Sequence, residues 1–402
     1  MGFFRAMRRG LASIFRPLEM GLWWIVVCAM AALEAFGLRF RLVPLWGDRI
    51  GALAPEADTV YHQEHSGDGI RHACIVGDVC NRALIDVIKD HIRVLESAPL
   101  HASLMRVFDN CAAFRSHKNV LKPGPSIYPA AHNIRANRID PGRRAEEAVE
   151  RYFDDLGIPQ GSWFICIHNR DDHYLKSAFP HRDWSYHDYR DCSIDSYLQA
   201  AEHVVQSGGY VFRMGRQTAV PLPDTRSPQI IDFSVQNGSQ HLEIGLIAQC
   251  SLFLGSTSGL YTVAHLFNRP VALANLVPFS IATYATDDLF IPKLLWDEKA
   301  DRLLTFQESY DIGLFDPNSA ASHGSFYRDH GLKVLENDAE EIRDLCVERL
   351  GRDKGKSDTS FQEDDLLQAN FKKHFLSHLA GHEFMGNVGA SFLRKYLHLW
   401  QP

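Results

Sequence analysis

Between residues 163 and 275 short apolar runs alternate with amphipathic stretches, and the runs stop at charge or glycine. Trp163-Phe164-Ile165-Cys166-Ile167 is continuously apolar, the pattern of a strand buried on both faces. It runs into His168-Asn169-Arg170-Asp171-Asp172. Ser193 is placed to open a helix whose Tyr197, Leu198, Ala201, Val204 and Val205 share one face, and Gly208-Gly209 closes it. Further strands are expected over 210–212, 229–231, 251–254 and 271–274, with helices over 242–248 and from beyond Gly259 to Phe267. Strands and helices in alternation specify an open parallel sheet, whose ligands sit beyond the carboxyl ends of the strands.

The loops at those ends carry the chemistry. They hold Arg170, then Arg213-Met214-Gly215-Arg216, then Asp232, then Gly255-Ser256-Thr257-Ser258-Gly259. Two or three cations beside a helix N-terminus rich in small hydroxyls make a place for phosphate. Each candidate has a structural alternative. Arg170 could pair with Asp171, Asp172 or Asp195, Arg213 could be a surface cation, and Ser256 or Thr257 could cap a helix. Asp232 and Glu243 could accept from a ribose or a base, or serve the fold alone. His173, Tyr174 and the loop 181–189 mix aromatic and charged side chains in a way that suits a sugar. G-x-T-x-G in place of G-x-S-x-G argues against a serine hydrolase. No GK[ST] follows the glycines, and no G-x-G-x-x-G follows the first strand, which argues against phosphate-loop nucleotidases and nicotinamide dehydrogenases.

The strings His168-x-Arg170, Arg190-Asp191-Cys192-Ser193-Ile194-Asp195-Ser196-Tyr197 and Gly209-Tyr210-Val211-Phe212-Arg213-Met214-Gly215 resemble a bacterial glycosyltransferase family of polysaccharide biosynthesis clusters. Gly255-Ser256-Thr257-Ser258-Gly259-Leu260, Leu266-Phe267-Asn268-Arg269-Pro270, Arg49-Ile50-Gly51, Ile291-Pro292-Lys293 and Ser391-Phe392-Leu393-Arg394-Lys395-Tyr396 extend the resemblance over roughly 40–402. A fainter similarity reaches the protein O-fucosyltransferases and core α1,6-fucosyltransferases, through the His-x-Arg after a strand. The resemblance implies a B-type transferase (GT-B-like): two Rossmann-like α/β domains with parallel sheets facing a central cleft. It implies a nucleotide-diphosphate sugar donor, a glycan or lipid-linked acceptor, and transfer without a bound metal or other cofactor. On that reading His168, Arg170, Arg213, Gly215, Arg216, Asp232 and residues 255–259 hold the donor, while Arg170, Asp171, Asp172 and His173 are the catalytic candidates. The family usually has a His after the Arg-Ile-Gly, and Ala52 stands there in this chain. That departure keeps open a catalytically silent sugar-nucleotide-binding or assembly subunit, and a sugar-nucleotide epimerase is the third reading.

A net charge of −7 excludes a general nucleic-acid binder, which needs a basic footprint. The charge is uneven: before Glu19 stand Arg5, Arg8, Arg9 and Arg16 and no acid. An apolar run over 20–33, with Trp23-Trp24, follows. It is short for a span, which takes about twenty residues. The run is read as a membrane-surface helix or short anchor at the cytoplasmic face of the inner membrane, because full crossing would separate the domains from cytoplasmic nucleotide sugars. A buried helix and a signal peptide are the alternatives. The eight cysteines are scattered without C-x-x-C, as in a reducing compartment, and no histidine pattern matches a familiar metal site.

The expected organisation is a membrane-associated segment over 1–38, an acceptor-side α/β domain over 39–157, a nucleotide-sugar domain over 158–352, and a linker with C-terminal helices over 353–402. Strands over 42–45 and 73–76, and helices over 83–95, 100–114 and 145–156, belong to the first domain. A Pro/Gly-rich passage over 122–142 reads as a loop. The linker spans 351–365, and the helical stretch over 366–399 is expected to return across the first domain. Both domains are expected to fold without residues 1–38.

Overall fold

The computed structural model describes residues 2–121, 139–173, 176, 180–181, 183–216, 220–223, 227–236, 238–279, 287–316, 319–353, 359–375 and 386–401, without the side chains of 2–16, 353–362 and 374–375. The chain divides into two compact units, Met1–Asp140 and Pro141–Pro402. Each is an α/β unit with a parallel sheet, the class the sequence predicts.

In the first unit β1 (Arg39–Leu45), β2 (Ile70–Val76) and β3 (Val94–Glu96) pair in that order, all parallel. Helices Ile50–Glu64 and Arg82–His91 connect them, and Ala98–Asn110 follows. The helix expected over 83–95 is shorter, because the chain turns extended at Ile92 and spends Val94–Glu96 on β3. The helix expected over 100–114 breaks at Cys111, which is extended between Ala98–Asn110 and Ala112–Arg115. Most of the 122–142 passage lies outside the described residues.

Helix α1 (Gly2–Glu34) precedes β1. Its Pro17–Glu34 portion is long and apolar enough to cross a membrane and is mostly exposed. One face, however, is built into the first unit. Trp23 and Val27 are buried among Leu42, Ile75, Leu104, Val107, Phe108, Phe114 and Val120. Trp23 Nε1–H donates to Ser103 Oγ at 3.1 Å. Glu19 pairs with Arg106, and Glu34 with Lys118 and Asn119. Each buried apolar side chain of this size stabilises by about 2 kcal/mol, so removing residues 1–38 would uncover part of this unit's core, a cost that counts against the expectation that the unit folds without them.

In the second unit the sheet order is β13-β9-β8-β7-β4-β5-β6, from β4 (Phe164–His168), β5 (Tyr210–Arg213), β6 (Ile230–Asp232), β7 (Leu252–Gly255), β8 (Val271–Leu276), β9 (Leu289–Pro292) and β13 (Asn387–Val388). Every pairing is parallel. Strands β7, β8 and β9 are buried at every position and almost wholly apolar, the one polar side chain, Asn275 of β8, being paired with the backbone of Asn337. Beside this sheet, β10 (Leu294–Asp297), β11 (Arg302–Leu303) and β12 (Leu332–Leu335) form a small antiparallel one.

Two boundaries differ from expectation. Helix Arg143–Leu156 belongs to the second unit, not the first. It crosses helix Gln240–Gln249 so closely that a Cβ on Gly245 would lie 2.5 Å from the Ala145 carbonyl oxygen. At the other end, helix Thr359–Phe375 begins inside the expected linker, and Asn387–Val388 adds an edge strand where helix was expected. Gln368 bonds both backbone groups of Val388, Arg394 pairs with Asp364, and Trp400 meets Phe371 edge-on at 5.7 Å. These partners all belong to the second unit, within which the terminal stretch is counted.

Candidate anion site at the strand switch

From β4 the chain builds outward through β5 and β6, then returns to β4's other side as β7 and builds outward through β8 and β9. The strand order therefore reverses between β4 and β7, the place where open parallel sheets hold ligands. Two loops meet there. Gly255 lies beside His168, and a Cβ on it would stand 2.8 Å from the Phe253 ring. Ser256 N–H donates to the His168 carbonyl at 3.1 Å, and Arg170 N–H donates to Ser256 Oγ at 2.8 Å. The loop after β4 is thus stitched to the loop after β7.

Arg170 is buried; its Nη1 donates to the His187 carbonyl at 3.1 Å and pairs with Asp191. A 3₁₀ turn, Ser185–Arg190, presents both partners' segment and brings in a second guanidinium. Arg190 Nη2 donates to the Thr257 carbonyl at 2.6 Å, while its Nε is buried with no partner among the described residues. The third cation is Lys293, 3% exposed, whose Nζ donates to the carbonyls of Asp191 at 2.6 Å and Tyr189 at 3.2 Å. Burial, and then the Arg170 charge, holds Arg190 below its ordinary basicity. Burial also lowers Lys293, and Arg170 adds to that. Asp191 is pushed up to about 7, first by burial and further by Asp188 and Asp172, against the pull of Arg170. Three cations thus gather around Asp191, whose own neighbours include the carboxylates of Asp172 and Asp188. In the loop after β7, Ser258 Oγ is buried with no partner among the described residues.

The other predicted site residues fall into separate arrangements. His168 Nδ1 lies 3.0 Å from the Met214 carbonyl, so that nitrogen carries the proton and Nε2 is an acceptor. Burial, helped by Arg213 and Arg170, lowers its pKa to about 4, so it is a neutral group and not a phosphate cation. Arg213 is fully buried and committed to protein. Its Nη1 donates to Val220 O at 2.6 Å and Asp232 Oδ2 at 3.2 Å, and its Nη2 to Asn169 Oδ1 at 3.3 Å. Asp232 also accepts from Leu222 N–H and Ser234 N–H. Gly215, at φ +129°, lets the chain turn away after this knot. Arg216 pairs with buried Glu243 at 3.1 Å.

Asp171 accepts from His173 N–H at 3.2 Å, His173 is exposed, and Asp172 pairs with Lys176. The carboxylates of Asp172, Asp188 and Asp191 lie within 4.8 Å of one another, a spacing that could take a metal ion. Arg170 and Lys176 already bring positive charge to two of them. Tyr174 lies outside the described residues; in the 181–189 loop Trp184 stacks on Tyr186, and Tyr186 meets His187 at 3.9 Å.

Two expectations change. The helix after the glycine loop starts only at Tyr261 and has six residues, so its N-terminus is not the source of positive field. Thr257 Oγ1 points to the Val277 carbonyl instead of capping a helix. The field comes from Arg190 and Lys293, neither of which was singled out as a cation of the site. Lys293 offered the same cue as Arg170, a cation just past a buried strand, but β9 was not read as a strand.

No protein-family model matches this chain, and no curated protein matches it. Among solved structures it is similar to the iron-containing dodecameric glycosyltransferase TibC of enterotoxigenic E. coli, at 13% identity over 61% of this chain and TM-score 0.32. The match spans 61% of TibC's length. It is also similar to E. coli ADP-heptose LPS heptosyltransferase II, at 12% identity over 58% of this chain and 84% of that one, TM-score 0.36. A glycosyl transferase family 9 structure from Veillonella parvula gives 10% identity over 58% and 79%, TM-score 0.36. Likeness of this size leaves the chemistry to be read from the chain's own side chains.

Proposed function

We propose that this chain is a glycosyltransferase that moves a sugar from a nucleotide-diphosphate sugar to a lipid-linked or polysaccharide acceptor. The observation that carries this reading is the convergence of Arg170, Arg190 and Lys293 at the switch between β4 and β7, with Arg190 Nε left without a partner among the described residues. Asp191, with Asp172 and Asp188 near it, answers part of that charge, and an anion from outside would complete it. A diphosphate supplies that anion, and its charge grows as the glycosidic bond breaks, so fixed cations there stabilise the transition state. Arg170, Arg190 and Lys293 meet the leaving diphosphate, with Ser258 as a hydrogen-bond donor. This is transfer without a bound metal. Neutral His168 accepts from a donor hydroxyl through Nε2. The sequence resemblance to polysaccharide-cluster transferases and fucosyltransferases agrees with this chemistry, and the arginine-rich start of α1 favours the cytoplasmic face of the inner membrane.

Calorimetric titration with a panel of nucleoside diphosphates and nucleotide sugars tests it. At least one diphosphate should bind, and Arg190→Ala should weaken it at least about tenfold, the value of one charge-assisted hydrogen bond. Absence of binding across the panel ends the proposal. Ala52, where the resembling family has His, keeps a silent binder as the second reading. Binding without turnover on any lipid-linked acceptor would favour it.

A further inference from the structure

We infer that α1 is an in-plane lipid dock fused to the first unit's core, with one face sealing the protein and the other entering the surface of an anionic bilayer. This rests on the surface location proposed above and adds how the helix sits and which residues make contact. The described part of α1 has two faces with opposite fates. Trp23, Val27 and Glu34 lie at one phase of the helix, buried or paired with the first unit. At the opposite phase Leu18 is 65% exposed, Leu22 56%, Ile25 67%, and Phe36, just past the helix, 81%. Gly21, Cys28, Ala29, Ala32 and Leu33 are exposed between them, and no charged residue interrupts the row. Elsewhere among the described helices large apolar side chains are exposed singly, as Leu156 and Leu366 are, so a continuous row of them marks an interaction surface.

Charge selects the occupant. In the sequence the row's spacing of three and four continues back through Ile14, Leu11, Met7 and Phe3, while Arg5, Arg9 and Arg16 stand opposite it and Arg8 at its edge. Helix α1 runs from Gly2 to Glu34, with Pro17 inside it, and so joins the two halves. A long helix with aromatic and aliphatic residues in one phase and arginines in another is built for a headgroup boundary. With four arginines and no acid before Glu19, that boundary is an anionic one. A spanning helix is excluded by the same packing, since crossing would pull Trp23 and Val27 out of the core.

The test uses the full-length protein and vesicles of phosphatidylcholine with and without phosphatidylglycerol. Co-sedimentation should appear with the anionic vesicles and fall at high salt. Leu22→Glu with Ile25→Glu changes two exposed positions; its thermal midpoint should match wild type while vesicle binding drops at least about tenfold. A water-soluble maleimide should label Cys28 in solution and be excluded when vesicles are present. A protease added outside should still reach an N-terminal tag on the bound protein. Undiminished vesicle binding by the double variant, a tag protected inside the vesicle, or a stable dimer that hides Cys28 without lipid would each overturn the inference. Because none of these readouts uses nucleotide, a failed transferase reading leaves the result interpretable.

Discussion

Arg213 and Arg170 stand at the ends of adjacent parallel strands, both buried, both facing a carboxylate, and the resemblance between them stops there. Around Arg213 each Nη atom has a protein acceptor, and Asp232 is held by two backbone N–H groups besides. Around Arg170 two more cations crowd in, and its partner Asp191, buried and close to Asp188 and Asp172, is pushed up to about 7. Arg213 Nε, like Arg190 Nε, has no partner among the described residues, so what separates the two knots is the gathering of Arg190 and Lys293 around Arg170. Two arginines with the same sequence context thus differ in their company, and the proposal gives the diphosphate to Arg170 and the fold to Arg213.

The comparison breaks most visibly at Asp232. Asp232→Ala strands a buried guanidinium and should cost about 3–5 kcal/mol, read as a fall in thermal midpoint of roughly ten degrees. Asp191→Asn, in the Arg170 cluster, should move the midpoint by no more than about two degrees. Equal falls would mean that both knots are structural. Next in size, Arg170→Lys keeps the charge and loses the planar fork, so turnover should fall about a hundredfold and donor affinity only a few-fold. Matching small losses in both would return Arg170 to a purely structural pair.

Smaller again is a pH effect. Asp191 titrates near 7 in the free protein. A bound diphosphate favours its neutral form, so binding above pH 7 takes up a proton and affinity should decline as pH rises from 6 to 8, by at most about tenfold per unit. Calorimetry in buffers of different ionisation enthalpy reads that proton, and Asp191→Asn should abolish it. The stability sign follows from the same shift. Below pH 7 the folded state keeps a proton that an unfolded aspartate gives up near 4, so this group's contribution declines as pH rises through that window and is level above it. Smallest is Ser258→Ala, expected to weaken diphosphate binding only a few-fold by equilibrium titration.

Legibility followed the range of the interactions involved. Strands β4, β5, β7 and β8 were visible because burial on both faces forces continuous apolar runs, a purely local signature. Strand β3 was not, since Val94–Glu96 merely continues the apolar pattern of the helix before it. Helix Ile50–Glu64 escaped notice because it buries Glu56, Asp58 and His62 as well as its apolar side, leaving no amphipathic rhythm to read. The meeting of the Arg170 and Ser256 loops is legible from position alone, since both follow strands of one parallel sheet. Arg190 and Lys293 were missed as site cations because they join through partners 67 and 102 residues away. The protein partners of Arg213 are hidden for the same reason: one of its acceptors, Asn169, lies 44 residues away along the chain.

The close crossing at Gly245 has a consequence for where this chain can be cut. Helix Arg143–Leu156 brings Phe153 against Phe164 and Phe212, rings 5.5 and 5.9 Å away, and lays Val149 over Gly245. A fragment started at the strand, near residue 158, would leave β4 and β5 with an aromatic face open to water and should aggregate. One started at Pro141 carries its own cover. Natural recombination or laboratory exchange of the second unit would therefore be expected to break just ahead of that helix, in the Asp140–Pro141 step, and to inherit helix and sheet as a single part.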